Sequence, residues 1–329
     1  MHTNIINESP MPLTDSQMRY VNFYTDFAFK KLFGTETNKD LLLSFLNSCL
    51  EGREHFLDIT YLNSEHLGVS ASDRRAVFDV YCENDRGEKI LIEMQNGEQE
   101  YFKDRSIFYS TFPIREQAKR GKGWDYELRR VYLICFLNFT FDSDAAYSHT
   151  VQLYDLDTGK VFYDKLSYLY LEMPKYNKSI TADSPLYDKW LYAIKHLGDL
   201  DERPSELRDA IFTRLFEQAE IAQYTPQERQ DYEESLKNFR DWYSALKTAE
   251  KKGRAEGRAE GEAIGRAEGR AEGEAIGRAE GRAEGEAIGR AEGERTKAID
   301  IARNLKSYGM PVEKIQAMTG LSEEEIKAL

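Results

Sequence analysis

Residues 76–95 read AVFDVYCENDRGEKILIEMQ, two apolar runs around Asn84-Asp85-Arg86-Gly87-Glu88. That centre fits a three-residue hairpin loop, a type I turn followed by a left-handed residue, which Gly87 supplies. The loop pairs Asn84 with Glu88 and so fixes every later pair. One face then carries Phe78, Val80 and Cys82 against Met94, Ile92 and Ile90, all apolar. The other pairs Glu83 with Lys89, Tyr81 with Leu91, Asp79 with Glu93 and Val77 with Gln95. A slip of one residue would set the apolar face against the polar one, so the register is strongly specified. Asp79 is thereby expected directly across from Glu93, with Cβ atoms about 4.5–5.5 Å apart.

Two carboxylates facing each other in mid-strand destabilise a fold unless both are solvated or something neutralises them. A shared proton, an Arg or Lys, or a divalent cation would do so. Hard oxygen donors suit Mg²⁺ or Mn²⁺. Gln95 lies two residues beyond Glu93 on the same face, and Asp26 sits in an upstream helix from which it can join the cluster. As a carboxylate near a helix N-terminus, Asp26 also has a plainer reading, favoured by the helix dipole.

The flanking sequence supplies an α/β setting. Phe23, Phe27, Leu32 and Phe33 make an apolar stripe in a first helix closed near Gly34, and Leu41–Leu50 makes a second. A strand is expected at Phe56–Leu62 and a polar–aromatic helix over roughly Gln99–Gly121. Arg130–Leu137 reads as a strand buried on both faces. Further strands fit Thr150–Leu156 and Leu166–Leu171, and 185–249 is helical with breaks near Arg203-Pro204 and Thr225-Pro226.

Asp79 followed by Glu93-Met94-Gln95 on the next strand, between a helix carrying Asp26-Phe27-Ala28-Phe29-Lys30 and a long helix, resembles the PD-(D/E)XK nuclease fold. More narrowly, the chain resembles the bacterial recombination-promoting nuclease and transposase family. The carrying motifs are Phe29-Lys30-Lys31-Leu32-Phe33-Gly34, Phe78-Asp79-Val80, Glu93-Met94-Gln95 and Arg105 to Tyr109, in that order over residues 20–180. The resemblance implies a restriction-endonuclease-like core, a mixed sheet flanked by helices. It also implies that Asp79 and Glu93 bind a divalent metal, Mg²⁺ or Mn²⁺, with the Met94 carbonyl as third ligand and Asp26 as an accessory one. Gln95 stands where the wider superfamily has a Lys that positions the attacking water; Gln cannot supply that charge. Lys30, Lys31, Arg74, Arg75 and Arg105 are candidate phosphate contacts.

Beyond this core, the unit GRAEGRAEGEAI starts at Gly253, Gly265 and Gly277, and a fourth copy begins at Gly289. Ala, Arg and Glu favour helix, but a Gly in a helix interior costs about 1 kcal/mol relative to Ala. Arg254 faces Arg258 and Glu256 faces Glu260 at the unfavourable i,i+4 spacing. Ile264, Ile276 and Ile288 rotate by about 120° per unit and make no seam. A lone helix here is expected to be marginal, so the segment reads as a spacer, with a self-associating helical stalk as the alternative. Residues 295–329 recover globular patterning: Gly309 ends a helix, Pro311 opens a second, and Ser322 with Glu325 forms a capping box for a third. The pattern resembles a helix-turn-helix, but Glu323-Glu324-Glu325 at the start of its last helix favour docking or packing over base reading.

The expected organisation is a loose 1–17, a core over 18–180, a helical region over 181–250, the repeat over 251–294 and a helical tail over 295–329. With 329 residues, 41% hydrophobic and 12% aromatic, the chain is no disordered polymer. A net charge of −13 argues against diffuse, charge-driven nucleic-acid binding and leaves room for a local groove. No membrane-length apolar run and no signal peptide are apparent. Three cysteines without a CxxC read as reduced thiols of a cytoplasmic protein. The reading is a Mg²⁺-dependent DNA endonuclease linked to recombination or transposition. The alternatives are an inert DNA-binding or protein-interaction module on the same fold, and a transposase-linked scaffold assembled through the repeat.

Overall fold

The computed structural model describes residues 18–66, 76–118 and 125–329. The expected loose N-terminus over 1–17 and the candidate contacts Arg74 and Arg75 lie outside the described residues. The chain divides into two compact units, one running to Ser244 and the other from Ala245.

The first unit opens with helices α1 (Asp26–Phe33) and α2 (Lys39–Cys49). Thr25 caps α1 by accepting a hydrogen bond from the Ala28 N–H, and Gly34 closes it through its own N–H to the Lys30 carbonyl. Strands β1 (Ile59–Tyr61), β2 (Glu65–His66), β3 (Ala76–Val77), β4 (Val80–Asn84) and β5 (Lys89–Gln95) follow. Helix α3 (Phe102–Glu116) leads to β6 (Val131–Leu137), β7 (Ser148–Asp155) and β8 (Lys160–Glu172). Helices α4 (Leu186–His196), α5 (Ala210–Ala219) and α6 (Pro226–Ser307) complete the order, with the expected breaks between them.

The main sheet has the order β1-β4-β5-β6-β8-β7. Its centre is parallel, β5 with β6 and β6 with β8, and its outer pairs are antiparallel. Antiparallel β4–β5 closes through a tight turn, whereas parallel β5–β6 needs a crossover, which α3 provides. Every residue of β6 is buried, as a strand covered on both faces requires. One face packs on α1, α2, α4 and α5 through Phe33, Phe45, Phe136 and Trp190; the other packs on α3 through Phe102, Phe112 and Leu133.

The hairpin register is the expected one: Val80 pairs with Ile92, Tyr81 with Leu91, Cys82 with Ile90 and Glu83 with Lys89. Gly87 has φ +77° and its N–H donates to the Asn84 carbonyl. Two features differ from expectation. The ladder stops at Val80, so Asp79 lies on a bend before β4 and is not a ladder partner of Glu93. The bend also breaks the alternation: Phe78 packs with Tyr81, Tyr109 and Phe112 on the α3 face, opposite the face of Val80 and Cys82.

The repeat is helical throughout, part of the one helix Pro226–Ser307. Helix α6 therefore runs through the boundaries drawn from composition at 250/251 and 294/295. Two things offset the glycine penalty. The helix starts in a packed stretch, where Tyr232 and Leu236 are buried, so the costly nucleus is already formed. The GEAI step also shifts the charge register, giving favourable i,i+4 pairs such as Arg258–Glu262 (3.2 Å) and Glu274–Arg278 (3.6 Å).

The second unit ends in α7 (Val312–Thr319) and α8 (Glu323–Ala328). Ala302, Ile315, Leu321 and Ile326 form its small core. Gly309 and Gly320 take positive φ at the two helix ends, and the Ser322–Glu325 capping box is present.

A Cβ built at any repeat glycine from Gly253 to Gly293 meets no atom within 4 Å. Replacing these glycines with Ala is therefore expected to raise the helical melt of residues 245–329, each change contributing up to about 1 kcal/mol. Circular dichroism checks this; an unchanged melt would mean that the glycines carry no penalty in this helix.

Candidate metal centre

Glu93 reaches the centre of the fold because Ile90, Leu91 and Ile92 before it are fully buried and carry β5 into the sheet interior. The residue is 6% exposed, and among the described residues its Oε1 has no hydrogen-bond partner. Leaving a buried acceptor unmet costs about 1–3 kcal/mol, more when it is charged. Among the described residues the cation paired with it is Arg105 on α3, whose Nη2 stands 3.8 Å from Glu93 Oε2. Arg105 also donates to Gln99 and lies over the Tyr109 ring.

Asp79 is held from the neighbouring bend by the Met94 N–H, which donates to Oδ2 at 2.7 Å. The N–H and C=O of one strand residue point to the same edge. The Met94 carbonyl therefore faces the edge on which Asp79 stands. Burial raises the Glu93 carboxyl well above the usual range, with the Asp79 charge adding to it and Arg105 opposing it. Burial raises Asp79 as well, partly offset by the Met94 hydrogen bond, while the Asp26 charge pushes it up further. Both carboxyls sit in the one setting where an added divalent cation would be most favourable.

Asp79, Met94 and Gln95 line a cleft with Asp26, Lys30 and Lys31 of α1. Asp26 forms an ion pair with Lys30 at 2.8 Å. Gln95 turns its amide to the Gly97 carbonyl at 3.1 Å, and the Asn96 amide donates to the Tyr24 carbonyl. The structure thus gathers Asp26, Lys30, Asp79, Glu93, Met94 and Gln95, and adds Arg105 at the Glu93 side.

Sequence reasoning missed the far wall of this cleft. Glu228, Asp231, Glu234, Phe239 and Trp242 of α6 line it. Trp242 lies so close to the turn after β5 that a Cβ on Gly97 would stand 2.8 Å from its ring. No local pattern announces this, because α6 is more than a hundred residues away in sequence; Glu228-Glu234 reads only as a solvated helix face. A second cluster was also missed: Asp144, His149 and Glu172 bring ligand atoms within 4.8 Å of one another. Its charge is already compensated. Lys175 Nζ stands 2.8 Å from Glu172 and 3.5 Å from Asp144, and the other Glu172 oxygen accepts from the Phe141 N–H.

The raised Glu93 carboxyl has a consequence for stability. The unfolded chain gives up this proton at the ordinary glutamate value, the folded chain only at higher pH. The contribution of Glu93 therefore falls as pH rises from the ordinary value through the raised one. Glu93→Gln is expected to raise the thermal midpoint of the metal-free protein by a few degrees at pH 8 and by less at pH 5. A midpoint that drops at both pH values would contradict the unmet burial of this carboxyl.

Among the described residues no helix is long and apolar enough to cross a membrane. Neither a curated protein nor a solved structure matches the chain. Family models do match: residues 295–329 fit the C-terminal HTH domain of the Rpn/YhgA-like nuclease family. Residues 23–249, which contain the whole sheet, both carboxylates and the α6 wall, fit the PD-(D/E)XK nuclease family transposase model. The chain belongs to the PD-(D/E)XK nuclease family transposases, with an Rpn-like C-terminal domain.

Proposed function

We propose that this protein is a divalent-metal-dependent DNA endonuclease, acting in the cytoplasm on phosphodiester bonds in recombination or transposition. The observation that carries this reading is the buried Glu93 oxygen beside Asp79, which has no hydrogen-bond partner among the described residues. Asp79 and Glu93 would hold the ion, Mg²⁺ or Mn²⁺, with the Met94 carbonyl as a third oxygen donor. A divalent ion so held polarises a phosphate oxygen and acidifies water. Gln95 would orient the attacking water through its amide, and Arg105 would meet a phosphate oxygen once Glu93 is otherwise compensated. The free thiols Cys49, Cys82 and Cys135 suit a reducing compartment.

A catalytically silent DNA-binding or interaction module is the second reading. What favours it is the Gln95 amide, tied to the Gly97 carbonyl, and the acidic wall of Glu228, Asp231 and Glu234. Such a wall repels phosphates that do not enter by a defined path.

Plasmid cleavage by wild type with Mg²⁺, Mn²⁺ or Ca²⁺ separates the two. Asp79→Ala is expected to lower the Mg²⁺-dependent rate by about 10²–10³-fold, the scale of several kcal/mol of lost transition-state stabilisation. Calorimetry should find Mn²⁺ binding weakened in Asp79→Asn; equal affinity in the two proteins would contradict the joint site. Gln95→Ala should keep Mn²⁺ affinity and slow cleavage, whereas loss of Mn²⁺ binding would make Gln95 a ligand.

A further inference from the structure

We propose that Lys30 supplies, from helix α1, the cation that Gln95 cannot, and that Asp26 is its holder rather than a metal ligand. The inference rests on the nuclease reading above and concerns the division of labour within the same cleft.

Three groups compete for the role, and two are already engaged. Gln95 is neutral, and its amide is turned to the Gly97 carbonyl. Lys31 lines the cleft but is bound to Glu228 at 2.5 Å and lies over the Tyr224 ring, which makes it a clamp between α1 and α6. Lys30 lines the cleft with Asp79 and Gln95, is half exposed, and among the described residues is ion-paired only with Asp26, one turn before it on the same helix. An exposed i,i+4 pair of this kind is weak, and lysine has a long, flexible stem. A phosphate entering the cleft can therefore take Lys30 from Asp26 at little cost.

The base of this side chain is held in place while its tip is half exposed. Phe29 and Phe33 are buried on either side, the Thr25 cap fixes the start of the helix, and Gly34 packs on the Lys30 backbone. A Cβ at Gly34 would stand 2.8 Å from the Lys30 carbonyl oxygen, so this turn closes tightly. The Lys30 charge already favours the ionised forms of both Asp79 and Glu93, which places its field on the two carboxylates. Asp26 acts in the opposite sense on Asp79, as a parked counter-charge would.

In hydrolysis, water adds through its oxygen to phosphorus, the ester P–O bond breaks, and a proton equivalent to the one the water gives up ends on the displaced oxygen, which leaves as a hydroxyl. Lys30 keeps its proton throughout; its ammonium donates hydrogen bonds to the non-bridging oxygen on which charge grows. Removing one such donor typically costs about 10²–10³ in rate.

The test uses full-length protein and a duplex oligonucleotide. Lys30→Met is expected to lower the Mg²⁺-dependent rate at least about 10²-fold. Its Mn²⁺ affinity by calorimetry and its duplex affinity in Ca²⁺ should stay close to wild type. Lys30→Met/Gln95→Lys should recover much of the loss, because the charge returns on the neighbouring strand; a merely structural role for Lys30 would give no such rescue. Asp26→Asn should leave Mn²⁺ affinity unchanged. Lys30→Met cleaving like an active wild type, an unrescued double variant with a normal thermal midpoint, or a tenfold loss of Mn²⁺ affinity in Asp26→Asn would each overturn the inference alone. A wild type that fails to cleave with Mg²⁺, Mn²⁺ or Ca²⁺ would overturn the nuclease reading, and this inference with it.

Discussion

The structure is organised around one awkward burial, the Glu93 carboxylate under the edge where Asp79 stands. The apolar run Ile90–Ile92 drives β5 into the middle of a sheet covered on both faces, and the strand carries Glu93 with it. β4 ends one residue short of Asp79, which lets that carboxylate turn back and accept the Met94 N–H. One acid is thus satisfied by backbone, and the other is left with an unmet oxygen and a distant arginine. Strain of this kind persists only where the surrounding fold over-determines it. Here α3 is anchored by paired hydroxyls, Ser106 with Tyr170 and Ser110 with Tyr168, so Arg105 stays in place without closing on Glu93.

The cleft has an unusual charge balance for a member of a nuclease and transposase family. The chain carries net −13, and the α6 wall of the cleft is acidic. Diffuse attraction to a polyanion is therefore weak, and the available attraction is local: Lys30 on α1, with Arg105 at the Glu93 side. Such a layout favours a phosphate that arrives in one orientation over nonspecific coating of the duplex.

Much of this was legible in the sequence, for identifiable reasons. The hairpin register followed from Gly87 and strict alternation, both local, and α1 followed from its stripe and Gly34. The candidate site was read from that register together with the ordered family motifs, and the structure brings Asp79 close to Met94 from a bend rather than opposite Glu93 in the ladder. What failed did so where one residue breaks a period or where contacts span the chain. Phe78 went to the α3 face because the bend at Asp79 interrupts the alternation that had fixed its side. The first half of β8, Lys160–Lys165, went unseen because it extends beyond the covered sheet, and Phe162 remains 77% exposed there. The Asp144–His149–Glu172 cluster and the Trp242 wall depend on tertiary placement alone. The repeat was underrated as a helix because, of its charge pairs, only the like-charge ones were weighed, whereas Glu262 and Glu274 of the first two GEAI steps make opposite-charge pairs on a helix already nucleated at Tyr232 and Leu236.

The central claim is that the buried carboxyl pair exists to take up a divalent cation. If so, the ion must displace whatever proton the raised carboxyls retain, since ligands bind metal in their ionised form. Mn²⁺ binding measured calorimetrically at pH 6, in buffers of differing ionisation enthalpy, counts those protons directly. The account predicts proton release on binding to wild type, and its loss in Glu93→Gln. Mn²⁺ binding with no proton release, or identical release in Glu93→Gln, would contradict it.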